Sequence, residues 1–473
     1  MHPVDLLILA LYIIGMLGMG AWFMRRNRGT DDYYVGGRQM GSLHVGLSVV
    51  ATDVGGGFSI GLGGLGFAIG ISGSWMLFTG LVGAWLAAVL LIPRIKRSDD
   101  LSRGMTFPDL LGARYGRSVA LVAAAISAVG YLGFTASQIL AGAKLAAGVF
   151  PEVGIDTALL VMGVVAVCYT VMGGIKAVIY TDTVQWLLLL TGLTLIGIPV
   201  SWQVVGGWQG IRAAVGPEML SLANVGWRDL VNWGITIIPI WFVGMTLYQR
   251  IHACRDERSA RRAWYIAGLF EWPVMALMGA TLGLLARVAA EQGLLAMPGG
   301  LPPAAADPEV GLPLLLRHVL PVGLLGLMMA AYFSAILSTA DSCLMASSGN
   351  VVLDIWGRLR RSQPSDRFLL RFSQAVTLGL GGLALLLAMS MDSVLDMMLH
   401  SYAFMVSGLL VPALGALFWK RGTPRAALAA MLAGGGTTVA LELSGIALPL
   451  ELNANLFGLA VSALVFVSLS LRA

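Results

Sequence analysis

The chain has 473 residues, 57% of them hydrophobic and only 12% charged, with a mean hydropathy of +0.82 and a formal net charge of +5. So small a polar complement cannot cover a water-facing surface, which excludes the soluble globular classes. Successive apolar stretches of about 20 residues can each cross a bilayer, so the composition predicts an all-α polytopic membrane protein.

Thirteen spans are predicted in chain order, at 3–24, 43–70, 73–93, 119–149, 155–173, 179–202, 229–248, 263–287, 313–347, 368–389, 391–418, 424–442 and 453–471. With the amino terminus outside, this alternation places 25 of the 30 basic residues in cytoplasmic segments. Only Lys144, Arg212, Arg228, Arg287 and Arg317 fall outside. The positive-inside rule favours that arrangement, and the basic excess reads as topology rather than as a nucleic-acid surface. The first span has no basic residue before it and Arg25-Arg26 after it, the reverse of a secretory signal, so it reads as a retained helix.

The second span carries Ala51-Thr52-Asp53-Val54-Gly55-Gly56-Gly57-Phe58-Ser59. Three glycines beside an aspartate predict a helix break that frees backbone carbonyls, a device tolerated at membrane depth where it lines a cavity. The competing reading is close packing of small residues. Span two enters from the cytoplasm and span seven, five helices later, from outside, so two five-helix blocks of opposite orientation are expected. The stretch 288–312, with Pro298-Gly299-Gly300-Leu301-Pro302-Pro303, reads as a short helical lid or a loop.

The ninth span reads Ser334-Ala335-Ile336-Leu337-Ser338-Thr339-Ala340-Asp341-Ser342. Ser334, Ser338 and the Asp341/Ser342 pair share one helical face. An acid at membrane depth costs roughly 2.5–3.5 kcal/mol and normally faces a cavity or a partner. A row of hydroxyls ending in a carboxylate supplies hard oxygen ligands for a small cation, against the plainer reading of a hydroxyl-lined helix contact. Cys168, Cys254 and Cys343 imply no disulfide framework, and Cys343 reads as a small packing residue. The five histidines, at 2, 44, 252, 318 and 400, are scattered, and no metal cluster or nucleophile arrangement suggests an enzyme. The short segment after the last span predicts no attached catalytic or sensor module.

In this order, the motifs resemble those of the sodium–solute symporter family, from about residue 5 to 471. Its most specific element is Gly173-Gly174-Ile175-Lys176-Ala177-Val178-Ile179-Tyr180-Thr181-Asp182-Thr183-Val184-Gln185. Tyr34-Val35-Gly36-Gly37-Arg38, Pro108-Asp109-Leu110-Leu111-Gly112-Ala113-Arg114-Tyr115-Gly116 and Ala136-Ser137-Gln138-Ile139-Leu140-Ala141-Gly142-Ala143-Lys144 agree with it. So do Gln249-Arg250 before a basic loop and Leu337-Ser338-Thr339-Ala340-Asp341-Ser342. The resemblance implies the leucine-transporter type of fold, two inverted five-helix repeats with core helices 1 and 6 broken. The repeats would cover 43–202 and 229–418, with an extra helix at 3–24 and two peripheral helices at 424–471, in a single transporter domain.

It further implies a main sodium site on the carbonyls of Ala51, Val54 and Ala335 and the hydroxyls of Ser338 and Thr339. Neutral oxygens suit an ion that must bind and leave again. Some members hold a second sodium at positions matching Asp182, Ser338, Asp341 and Ser342. This chain has an acid at 341 where hydroxyl-only versions have serine, so two carboxylates would share a cation or a proton. Asp182 has the plainer alternative of a helix-start acid. Asp53 resembles the helix-1 acid of the proline-transporting branch; tuning of the ion site is favoured over binding of a substrate ammonium, and the plainer alternative is a buried acid bonded to freed amides. Substrate candidates are Asp53, Gly56, Gly57, Phe58, Phe134, Gln138, Trp241 and Tyr402, with Ser407 behind them; an aromatic wall plus an amide suits a small polar organic solute. Phe134 stands where proline-type members tend to have tyrosine, so that substrate does not carry over. Glu271 is a further intramembrane acid without an assigned partner.

The expected function is sodium-coupled symport by alternating access, importing a small polar solute across a bacterial cytoplasmic membrane, as a monomer or weak oligomer. The alternatives are proton coupling through Asp53, Asp182 and Asp341, and a non-transporting membrane sensor.

Overall fold

Inside hydrocarbon each backbone amide must be satisfied within its own segment, and a single chain of this composition does so with helices. A computed structural model of the chain, which describes residues 2–24, 34–98, 101, 104–150, 152–360 and 365–472, is built of helices, and no strand occurs among the described residues.

Helix α1 (Pro3–Met24) leads to α2 (Ser42–Ile69), whose helical path is interrupted at Gly55. Helix α3 (Trp75–Leu86) continues through Ala87–Leu91 and Ile92–Arg97. The short α4 (Phe107–Tyr115) begins with a capping box between Thr106 and Asp109, and α5 (Arg117–Val149) follows. Helix α6 (Ile155–Gly192) extends through Leu193–Gly197 and Ile198–Val204. After the short α7 (Gly207–Ala214), α8 (Trp227–Val243) and α9 (Met245–Ala253) meet at Gly244 with a 43° bend. Helix α10 (Glu257–Leu269) runs through Phe270–Met275 into α11 (Ala276–Glu291). Then come α12 (Gly311–Val319), α13 (Leu324–Gly349, continued by Asn350–Trp356), α14 (Asp366–Ala388) and α15 (Val394–Phe418). Helices α16 (Pro424–Ser444) and α17 (Ala454–Leu471) end the described chain.

Both expected breaks are present, at Gly55 in α2 and at Gly244 between α8 and α9. Three expectations need correction. The span drawn over 313–347 is two elements, because Pro321 cannot continue the amide ladder and Gly323 turns at φ +87°. The loop expected between 173 and 179 is helical backbone, with apolar segments Ile155–Val171 and Val178–Val204 on either side of it. Nine helices among the described residues are long and apolar enough to cross a membrane, ten with the bent pair, so lengths alone do not return thirteen.

Burial separates core from periphery. The apolar window of α13 is 83% buried and that of α14 only 22%. Helix α13 packs against α1, α2, α5 and α6, while α15 packs against α5, α8, α16 and α17. An acid or hydroxyl on α13 therefore faces protein, not lipid.

Candidate functional site

The break in α2 has a local cause. Gly55 sits at φ +40°, ψ −167°, outside the helical region and open to glycine because it has no side chain. A Cβ there would lie 2.5 Å from Thr339 Oγ1, so the same missing atom lets α2 and α13 touch. At this contact Thr339 Oγ1 lies 3.1 Å from the Ala51 carbonyl and 3.0 Å from the Ala335 carbonyl. Ser338 Oγ donates to the same Ala335 carbonyl at 3.1 Å. Ala51, Ala335, Ser338 and Thr339 are all buried. Two carbonyls and two hydroxyls from two helices thus converge with no formal charge among them. Val54 directly precedes the break. Its side chain and those of Gly56, Gly57 and Phe58 lie outside the described residues, although their backbone is helical.

One helical turn further along α13 the chemistry changes. Asp182, Asp341 and Ser342 are buried, and Ser338 faces Asp182. Among them lies Arg250 of α9, also fully buried. Its Nε donates to Ser48 Oγ at 3.1 Å, and its Nη2 donates to Thr52 Oγ1 at 2.5 Å and Ser342 Oγ at 3.0 Å. Nη2 is also 3.6 Å from Asp182 Oδ2, which receives a 2.5 Å hydrogen bond from Ser48. One guanidinium therefore joins α2, α6, α9 and α13. Asp341 faces Thr170, yet neither of its oxygens receives a hydrogen bond, since the Thr170 hydroxyl donates to the Ala166 carbonyl at 2.8 Å.

A third cluster forms around Asp53, two residues before the break. Tyr402 of α15 donates to Asp53 Oδ1 at 3.2 Å, and its ring stacks on Phe134 of α5, centroids 5.0 Å apart and planes 9° from parallel. Gln138, one turn from Phe134, is buried, with its amide directed to Ser137 Oγ and Met398 Sδ. The carboxyl of Glu271 faces that of Asp53. Trp241 is held elsewhere, against Gly83 of α3 and edge-on to Trp264. Ser407 donates to the Phe404 carbonyl within its own helix.

At the far end of α5, Lys144 bridges Asp307 and Glu309, each at 2.6 Å. Glu309 also accepts from the Val394 and Leu395 amides at 3.0 Å, which fastens the segment before α12 to the start of α15. A cavity of about 450 Å³ lies under this segment, lined by Leu140, Lys144, Asp156, Asp307, Met391 and Asp392 among others.

The sequence pattern brought Asp53, Phe134, Gln138, Tyr402, Ser338, Thr339 and Asp182 into consideration, and the structure gathers them around the break. It missed Arg250, assigned above to a cytoplasmic loop. The signal available was a pair of hydroxyls at i and i+4 on α2, Ser48 and Thr52, which would otherwise face α9 without a donor. It also left Glu271 without its partner, which is 218 residues away in the chain.

Three comparisons bear on this arrangement. Residues 33–434 match the model of the "Sodium:solute symporter family". The chain is 27% identical over 449 residues to the "High-affinity proline transporter PutP" of Bacillus subtilis, covering 91% of this chain and 90% of that one. It is also 27% identical to the "Sodium/myo-inositol cotransporter 2" of Rattus norvegicus, over 92% of this chain and 69% of the relative. In fold it is similar to a substrate-bound, outward-open Na+-coupled sialic acid symporter, with a TM-score of 0.82, 21% identity, and coverage of 100% and 98% of the two chains.

Proposed function

The chain belongs to the sodium:solute symporter family, and from that premise we propose that sodium entering between the α2 break and α13 drives uptake of a small polar organic solute. Sodium is the coupling ion of this family, and the chain is a transporter rather than an enzyme. The ligands we assign to it are the carbonyls of Ala51, Val54 and Ala335 with the hydroxyls of Ser338 and Thr339. The observation that carries this reading is the Thr339 hydroxyl within hydrogen-bond distance of both the Ala51 and Ala335 carbonyls. On loading, that hydroxyl turns its proton away and offers its lone pairs instead. A set of neutral oxygens holds a monovalent ion without trapping it.

Asp182, Ser338, Asp341 and Ser342 form the second cation site of this proposal. Arg250 supplies one positive charge against two carboxylates, and the surplus negative charge falls at Asp341, whose oxygens lack donors. Solute binds at the side of the break occupied by Asp53, Phe134, Gln138 and Tyr402, with Gly56, Gly57 and Phe58 at the break itself and Trp241 behind. It enters past the cavity beneath Asp307 and Glu309.

Coupling needs no contact between ion and solute. Sodium joins α2 to α13 and orders the interrupted segment, so the solute binds a site whose ordering entropy has already been lost. Each charge moved inward gains about 2.3 kcal/mol per 100 mV of membrane potential. The distribution of basic residues supports an amino terminus outside and a carboxy terminus in the cytoplasm; the membrane we assign is a bacterial cytoplasmic one, and the working unit a monomer or weak oligomer. The two repeats comprise 43–202 and 229–418. Uptake into vesicles tests the reading: replacing sodium by choline should abolish it, and uptake that continues unchanged would refute it.

A further inference from the structure

Glu271 lies in the segment joining α10 to α11, where the helical path is interrupted at Trp272, and is completely buried. Neither of its oxygens receives a hydrogen bond, and Asp53 Oδ2 receives none either. The two carboxyls face one another, and three of their four oxygens accept no hydrogen bond from any third group. The groups recorded beside the pair are Tyr402, which satisfies Asp53 Oδ1, and Tyr131 and Cys343 beyond it. No arginine, lysine or histidine pairs with either carboxyl among the described residues. The room for Glu271 is made by α3: a Cβ on Gly80 would lie 1.8 Å from Glu271 Oε2.

Resting on the symporter reading above, we infer that Asp53 and Glu271 are the recognition point for a cationic nitrogen of the transported solute, one that carries N–H groups. Two carboxyls this close must share a proton or hold a cation between them, and an arriving cation can displace that proton. Three acceptors without a donor call for a donor-bearing cation, because a buried acceptor left unmet is costly. A primary or secondary ammonium, or an amidine-type group, supplies those donors; a quaternary ammonium carries charge without any. The stacked Phe134–Tyr402 pair beside Asp53 favours an organic cation over a bare ion, since aromatic faces attract such groups. Asp53 and Glu271 come from different segments of the chain, so a shift of either during the transport cycle changes the grip on the nitrogen.

The test is the thermal stability of the purified full chain in detergent, with and without sodium. The panel is a set of primary and secondary amines, proline among them, each beside its quaternary N-methylated and its N-acetylated counterpart. With sodium present, at least one N–H cation should raise the midpoint, and neither counterpart should. Glu271→Gln, nearly isosteric, should weaken that amine at least tenfold and keep the sodium-induced shift. Gly80→Ala, which displaces the Glu271 carboxyl without removing it, should weaken the amine in the same direction. A panel with no effective amine, an equally effective quaternary or acetylated counterpart, or an amine response intact in Glu271→Gln would overturn the inference. Loss of the sodium shift itself in Glu271→Gln would mean that the carboxyls hold the metal ion instead. Absence of a sodium shift in the unaltered protein would count against the symport reading, which separates the two failures.

Discussion

Two clusters on α13, one helical turn apart, solve the problem of a buried cation in opposite ways. At Ala335, Ser338 and Thr339 the protein offers neutral oxygens to α2 and supplies no positive charge. At Asp341 and Ser342 it brings its own cation, the guanidinium of Arg250, and sets it against Asp182. The first arrangement carries no fixed charge, as the proposed exchange of a mobile ion with solution requires. The second fixes a charge to the chain, so what it can exchange is limited to the imbalance left at Asp341. A carboxylate within the membrane is thus not by itself the mark of an ion site; the residues that neutralise it decide its role.

The sharpest way to break this contrast is at the arginine. Arg250→Met leaves Asp182 buried without its partner, which costs about 3–5 kcal/mol. We expect a large drop in thermal midpoint and little folded protein, with stability recovered in Arg250→Met/Asp182→Asn; a stable single variant would show that the guanidinium is not the fixed charge described. Gly55→Ala comes next. It places an ordinary residue at φ +40°, ψ −167°, at about 1–3 kcal/mol, and pushes its Cβ into Thr339. Sodium-dependent uptake should fall at least tenfold, while an unchanged rate would contradict the close approach of α2 and α13. Asp341→Ala removes the carboxyl and leaves no side-chain oxygen at 341, and it should have the smallest effect. It should reduce the steepness of the sodium dependence towards that of a single ion, and leave the affinity of the neutral site within about tenfold, roughly 1.4 kcal/mol.

The neutral cluster was the more legible of the two in the sequence, for a physical reason. Its determinants are local: glycines that interrupt α2 and hydroxyls at helical spacing on α13, both visible as short patterns. The hydroxyl face at 334, 338, 341 and 342 is wholly buried, as a polar stripe in an apolar helix requires. The charged cluster depends on which helix end is pulled inward. Arg250 follows an apolar segment and precedes a basic run, which is also how a loop residue reads, and only packing separates the two. The pairing of Asp53 with Glu271 is likewise a tertiary fact, set by the glycine at 80 that lets a carboxyl pass. The split between α12 and α13 was within reach, since Pro321 and Gly323 mark it, but hydrophobicity runs through both sides and masks the turn.

The decisive measurement is sodium binding to the purified protein by titration calorimetry, compared with that of Ser338→Ala/Thr339→Ala. Removing two ligand hydroxyls, at about 1.5 kcal/mol or more each, should lower sodium affinity roughly a hundredfold and abolish sodium-stimulated uptake while the protein stays folded. Sodium binding of unaltered affinity in that variant would contradict the account.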